Sequence, residues 1–227
     1  MLFERQIADI LKNADAYHRA YYDAERFGGP SLHFHRRALA TRSPDVTEQH
    51  LEYVYATLTS WGMHRMGKGG SKMQNFDVFF ESVVPLRERI AQAQEFTLSA
   101  MTDPDWDTIR EVFCGIRIMA TETRLVGNSK AMHHMMPNVV PPIDREYTLT
   151  YLLGNRNIKN DLTAEWALLR RVVSDFFAAV VADTAFAEMA AAWTGQQDRF
   201  PWDTSILKVI DNLIIGSQHV GRHVGNF

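Results

Sequence analysis

Apolar residues recur three and four positions apart along most of the chain. Leu2, Ile7, Ile10, Leu11, Ala14 and Tyr17 follow this spacing, so residues 2–26 read as an amphipathic helix that Gly28-Gly29-Pro30 stops. Ser43-Pro44-Asp45 opens a second helix, with serine as N-cap and proline at the first helical position, running to Trp61 before Gly62. A glycine-rich loop covers 62–72. The helical pattern resumes over 74–99, where Pro85 must break or kink it because a mid-helix proline removes a hydrogen bond and clashes with the preceding turn. Asp103-Pro104 starts another helix toward Gly115, and the pattern continues through Arg124. In the second half, residues 144–153, 163–181, 183–193 and 204–215 read as helices, with Thr163 as a cap and turns at Leu153-Gly154-Asn155-Arg156-Asn157 and Gly195-Gln196-Gln197. Residues 216–227 read as irregular, and long strands are missing. The expectation is an all-α, compact, multi-helix globular protein of nine to eleven helices. It forms one domain over 1–227, or two intimately packed lobes with a cleft between them.

Composition supports a real core and narrows the partners. The chain has 227 residues, 46% of them hydrophobic, enough to bury a sizeable interior. A formal net charge of -3 creates no global basic field, so any nucleic-acid contact must be made locally. The single cysteine, Cys114, excludes an intramolecular disulfide framework and a four-cysteine cluster. It suits core packing in a reducing, cytoplasmic setting. The N-terminal segment lacks the apolar core of a signal peptide, and no apolar run is long enough to span a bilayer. Among the nine histidines, the pairs His33/His35, His133/His134 and His219/His223 do not form a zinc-ligand pattern, so no metal or other cofactor is expected.

Local basic clusters do exist. Gly62-Met63-His64-Arg65-Met66-Gly67-Lys68 matches the first part of a phosphate-binding loop, but Gly69 stands where Ser or Thr would hold magnesium, and a helix precedes it. A nucleotide-binding loop is therefore rejected. Arg65, Lys68 and Lys72 occur with no acid between Glu52 and Asp77, which suits either DNA-backbone contact or a solvated basic loop. Arg36 and Arg37, within His33-Phe34-His35-Arg36-Arg37, form a second acid-free cluster, where Phe34 either wedges against a base or anchors its loop in the core. Asp161, Glu165, Asp175 and Asp183 read as caps and solvated faces. The five tryptophans sit at helix ends, where they close a core edge or line a base pocket.

The most informative stretch runs from Leu125 to Asp144. A polar turn, Leu125-Val126-Gly127-Asn128-Ser129, leads to Lys130 at the start of a short helix, an arrangement that would aim free backbone N–H groups and the positive end of a helix dipole at a phosphate. Pro141-Pro142 then forces extension, and Asp144 begins the next helix as N-cap or first-turn residue. Gly127, Lys130 and Pro142-Ile143-Asp144 together resemble the helix-hairpin-helix DNA glycosylase superfamily. The resemblance implies an enzyme that binds double-stranded DNA as a monomer, with Gly127, Asn128 and Ser129 on a phosphate. Such an enzyme flips out a base and cleaves its N-glycosidic bond. Asp144 would be the catalytic carboxylate, and Lys130 either the nucleophile or a phosphate clamp. A divergent hairpin points to a modified base, such as the hypermodified bases of bacteriophage DNA, and hence to antiviral defence. Two other readings stand beside it: a helical DNA-binding module without chemistry, and a helical protein-interaction or regulatory protein. The module keeps the hairpin for phosphate; the bland reading of the pair itself is that Asp144 is simply a helix N-cap and Lys130 an exposed helix-start residue.

Overall fold

The computed structural model describes residues 3–24, 28–65 and 73–220, with Arg65 described by its backbone alone. These residues form an all-α protein. In chain order the helices are α1 (Glu4–Ala24), α2 (Pro30–Ala40), α3 (Glu48–Ser60), α4 (Phe76–Val83), α5 (Arg87–Gln94), α6 (Asp103–Gly115) and α7 (Leu125–Met135). They are followed by α8 (Thr150–Leu153), α9 (Leu162–Val172), α10 (Ala178–Val181), α11 (Thr184–Thr194) and α12 (Ile206–Ser217). A 3-10 turn, Val84–Leu86, joins α4 to α5 at Pro85, the predicted kink. One π-turn, Arg145–Leu149, leads into α8, and another, Val173–Phe177, joins α9 to α10. No single helix among the described residues is long and apolar enough to cross a membrane.

Caps explain most boundaries, and they move several expected ones. Thr47, not Ser43, caps α3, its hydroxyl accepting the His50 N–H at 3.3 Å. Asp161, not Thr163, caps α9 by accepting the Ala164 N–H at 3.0 Å. Asp183 and Ser205 cap α11 and α12 through Phe186 and Lys208. The basic run 33–37, expected as a loop, lies in α2, which Pro30 starts directly after Gly29 at a φ of 65°. The helix expected through Arg124 stops at Gly115. Ile116 and Ile118 are buried around an exposed Arg117, an alternation of period two, and Met119 bridges antiparallel to Met73.

One connected core runs from Phe3 to Ile214. Helix α1 lies against α12 closely enough that a Cβ on Gly216 would come 2.0 Å from the Tyr17 carbonyl oxygen. Two helices are nearly engulfed. In α7 every residue is buried except Lys130, and α12 is buried over nine of its residues, Lys208, Asp211 and Asn212 among them. A charged residue on an engulfed helix must be paired or must face an opening. On these two helices the charged residues do both.

Candidate functional site

The expected polar turn at 125–129 is instead the first turn of α7, so the helix-hairpin-helix-like element is not found there; a non-helical segment, 116–124, joins α6 to α7. The N-terminus of α7 does attract an anion, but the anion comes from the protein itself. Glu165 Oε2 accepts the backbone N–H groups of Arg124 at 2.5 Å and Leu125 at 2.7 Å, satisfying donors that would otherwise await a phosphate. Burial pushes the Glu165 carboxyl up from its ordinary value, and these two N–H groups oppose that. Glu165 is fully buried rather than a solvated face. Its replacement by alanine is expected to cost about 2–4 kcal/mol, from two orphaned donors and a cavity. Chemical denaturation measures this, and a loss below about 0.5 kcal/mol would show that the helix end does not need its carboxylate.

Gly127, Asn128 and Ser129 are interior residues, not phosphate ligands. A Cβ on Gly127 would lie 2.5 Å from the Met119 side chain, so glycine serves close packing here. Asn128 Nδ2 donates to the carbonyls of Phe113 at 2.7 Å and Ile116 at 3.0 Å, tying the end of α6 to α7. Ser129 Oγ accepts the Ile143 N–H at 3.1 Å, and His133 Nδ1 donates to the Val140 carbonyl at 2.9 Å. These two bonds stitch the proline-rich segment back along α7. Because Ser129 precedes Lys130 and Ile143 precedes Asp144, the stitching sets the two charged side chains face to face.

Lys130 Nζ donates to Asp144 Oδ2 at 2.8 Å, with side chains 12% and 28% exposed. Asp144 is the N-cap expected from its position: Oδ1 accepts the N–H groups of Glu146 at 2.8 Å and Tyr147 at 3.4 Å, while its own N–H donates to Thr148 Oγ1. Burial pushes the Asp144 carboxyl up, but the Lys130 ammonium and the two helix-start N–H groups outweigh it and hold the group below its ordinary value. The ammonium also lies 5.7 Å from the centre of the Trp61 ring. Both groups open into a cleft of about 590 Å³ whose lining includes Tyr21, Trp61, Met63, Tyr147, Trp202 and Ile215. Arg145, Arg156 and Asn157 complete one wall, and Lys208 and Asp211 contribute a second ion pair.

A chain of imidazoles braces the lysine turn from inside. His134 Nδ1 faces the Lys130 carbonyl at 2.7 Å and must therefore carry a proton, which leaves Nε2 to accept from His35 Nδ1 at 2.9 Å. His35 Nε2 then accepts from the Thr204 hydroxyl at 2.9 Å. Every ring in this order is neutral. Burial, foremost, drives His35 and His134 down, the latter to about 3. His35 also packs on Trp202 and Trp61, so the histidines and tryptophans form one aromatic layer beneath the cleft. No group of three potential metal ligands occurs among the described residues.

The other predicted DNA contacts are less integrated. Arg36 and Arg37 are exposed on α2 and do not line the cleft; Arg37 donates to Tyr53 Oη at 3.2 Å and stacks over its ring. Phe34 is half-buried, facing a separate hollow with Tyr55. Lys68, Lys72 and the Arg65 side chain lie outside the described residues. Lys208 and Asp211 escaped the sequence reading, although a Lys-x-x-Asp pair inside the apolar run ILKVIDNLIIG was the signal for them.

No family model, curated protein or solved structure matches this chain.

Proposed function

We propose that the cleft is the active site of a DNA glycosylase-like enzyme that receives a base flipped out of double-stranded DNA and cleaves its N-glycosidic bond. The observation that carries this reading is the Lys130–Asp144 pair at 2.8 Å, whose lysine is the one residue of α7 that is not buried, set in a cleft floored by indole and phenol rings. An extruded base is a flat, weakly polar object and stacks on such rings. Breaking its bond to C1′ leaves positive charge on the sugar. A carboxylate held below its ordinary value stays anionic and stabilises that charge. Arg145 and Arg156 on the cleft wall supply phosphate contacts beside it.

Asp144 has a second oxygen engaged by helix-start N–H groups and is rigidly aimed. It therefore orients a water whose oxygen bonds C1′ as the electron pair of the C1′–N bond departs with the base; Asp144 takes the proton the water loses, and the departing base nitrogen takes up one from solvent. Lys130 meets both the carboxylate and the Trp61 face as an ammonium, and in that state it has no lone pair with which to attack C1′. The reading is thus monofunctional hydrolysis with Lys130 as a charged positioning group. Borohydride trapping on abasic DNA tests it: no covalent adduct is expected, whereas an adduct lost in Lys130→Gln would establish the lysine as nucleophile. A modified base, including those of phage DNA, remains within this proposal, and panels of modified duplexes probe it directly. Absence of base release from every duplex, alongside DNA binding at low salt, would replace the enzyme with a binding module.

A further inference from the structure

The second ion pair in the cleft is not used by the hydrolysis just described. Lys208 and Asp211 lie three residues apart on α12, joined at 2.8 Å, with side chains 5% and 8% exposed. They are held from behind by a network that costs several buried polar groups. Lys208 Nζ donates to Asn212 Oδ1, Asn212 Nδ2 donates to Asp203 Oδ1 at 2.8 Å, and Asp203 Oδ2 pairs with His18 Nε2 at 2.7 Å. His18 is itself stacked on Trp193 at 3.9 Å. A hydrophobic helix end could be packed without any of these groups, and buried ion pairs rarely stabilise a fold better than apolar residues of the same shape.

What the network leaves unspent faces the cleft. Two of the three ammonium hydrogens of Lys208 are engaged by Asp211 and Asn212, and the Nζ lies 5.7 Å from the centre of the Trp202 ring and 5.8 Å from that of Tyr21. Asp211 uses Oδ2 for the lysine, and among the described residues its Oδ1 accepts no hydrogen bond. Burial, opposed by Lys208, pushes the Asp211 carboxyl up, so a further donor would relieve it. The same carboxyl also feels the charges of Lys130 and Asp144, which puts the two pairs within electrostatic reach of each other across the cleft. One donor and one acceptor therefore stand side by side, beneath aromatic faces and next to the proposed point of bond cleavage.

We propose that Lys208 and Asp211 read the edge of the flipped base and select a lactam edge, a carbonyl beside a ring N–H, as in uracil-, thymine-, hypoxanthine- and guanine-type bases. The ammonium donates to the carbonyl and Asp211 Oδ1 accepts the ring N–H. That N–H is the most acidic donor a neutral base carries, and so the best match for a carboxylate. Adenine and cytosine lack a lactam N–H and leave the carboxylate with an amino group as its best donor. This inference rests on the cleft being a base pocket, and it is a claim about recognition, separable from bond cleavage.

The test is calorimetric titration of the wild-type protein with deoxyuridine, deoxyinosine, deoxyadenosine and deoxycytidine. The first two are expected to bind at least about tenfold more tightly than the last two, because the carboxylate bonds the acidic ring N–H more strongly than the amino N–H that adenine and cytosine offer in its place. In Asp211→Asn the amide oxygen stays with Lys208 and the NH₂ turns to the cleft, converting the acceptor to a donor. The preference should then fall to within about twofold, with the circular dichroism and melting profile checking the fold. Equal wild-type affinities, a preference for deoxyadenosine or deoxycytidine, no binding of any nucleoside, or an unchanged preference in a folded Asp211→Asn would each overturn the proposal. Should the variant fail to fold, the wild-type series alone decides. Selective binding without base release from DNA would sink the glycosylase reading and leave this one standing; base release without selectivity would do the reverse.

Discussion

Asp144→Asn is expected to lower the rate of base release by roughly 10²–10³-fold, the usual effect of removing one group aimed at developing charge. Asparagine keeps an oxygen for the Glu146 and Tyr147 N–H groups and is itself a good N-cap, so the π-turn and α8 stay in place. What disappears is the negative charge facing Lys130 across 2.8 Å. Since the Asp144 side chain is 28% exposed, water screens the orphaned ammonium, and the stability cost should be limited to about 1–2 kcal/mol. Single-turnover release from a duplex the wild type cleaves, with urea denaturation alongside, separates the two effects. Unchanged release in a folded variant would reduce Asp144 to a helix cap.

Acid should unfold this protein early. Four buried imidazoles, His35, His50, His133 and His134, are held down chiefly by burial, His50 to about 4 and His134 to about 3. The sign follows from comparing the folded chain with the unfolded one. Above pH 6.5 both states leave these rings neutral. Below it the unfolded chain takes up protons that the folded chain refuses, so stability falls with pH until the folded values are reached. Each ring costs about 1.4 kcal/mol per pH step in that window, so four together remove roughly 5 kcal/mol by pH 5.5, comparable with the whole stability of a small domain. The depressed Asp144 carboxyl adds its own loss at lower pH, while the raised Glu165 and Asp211 carboxyls work the other way. The hydrogen-bond order explains why the histidine chain cannot adapt. A proton placed on His134 Nε2 would confront the His35 N–H that already points at it. Urea midpoints measured from pH 7.5 to 5 should fall steeply; a flat profile would mean these rings titrate normally.

Much of the fold could be read from the residue pattern because its signals are local. The kink at Pro85, the cap at Asp144, the turn at Gly154 with φ of 71° and the helix opened by Asp183 each depend on a few neighbouring residues. The misreadings have physical causes of the same kind. Gly127-Asn128-Ser129 has turn composition, yet its glycine packs against Met119 and its polar side chains bond to segments 12 to 15 residues away. Helix propensity is weak enough that such contacts override it. The basic run at 33–37 was helical for a reason in plain view, a proline directly after two glycines.

The sequence by itself determined that the chain is helical, that Lys130 and Asp144 are separated by a proline-extended segment, and that Asp144 starts a helix. All three follow from short-range sterics and capping. Only the tertiary structure decided what those residues meet. The bonds from Ser129 to Ile143 and from His133 to Val140 fold the segment back so that lysine and aspartate pair. Glu165, 40 residues from Leu125, takes the helix end that local pattern had offered to a phosphate. The engulfed α12 carries Lys208 and Asp211 to the same cleft. Each of these depends on which helix packs against which. A carboxylate on an adjoining helix satisfies a helix N-terminus as well as DNA does, and nothing in the local sequence distinguishes the two.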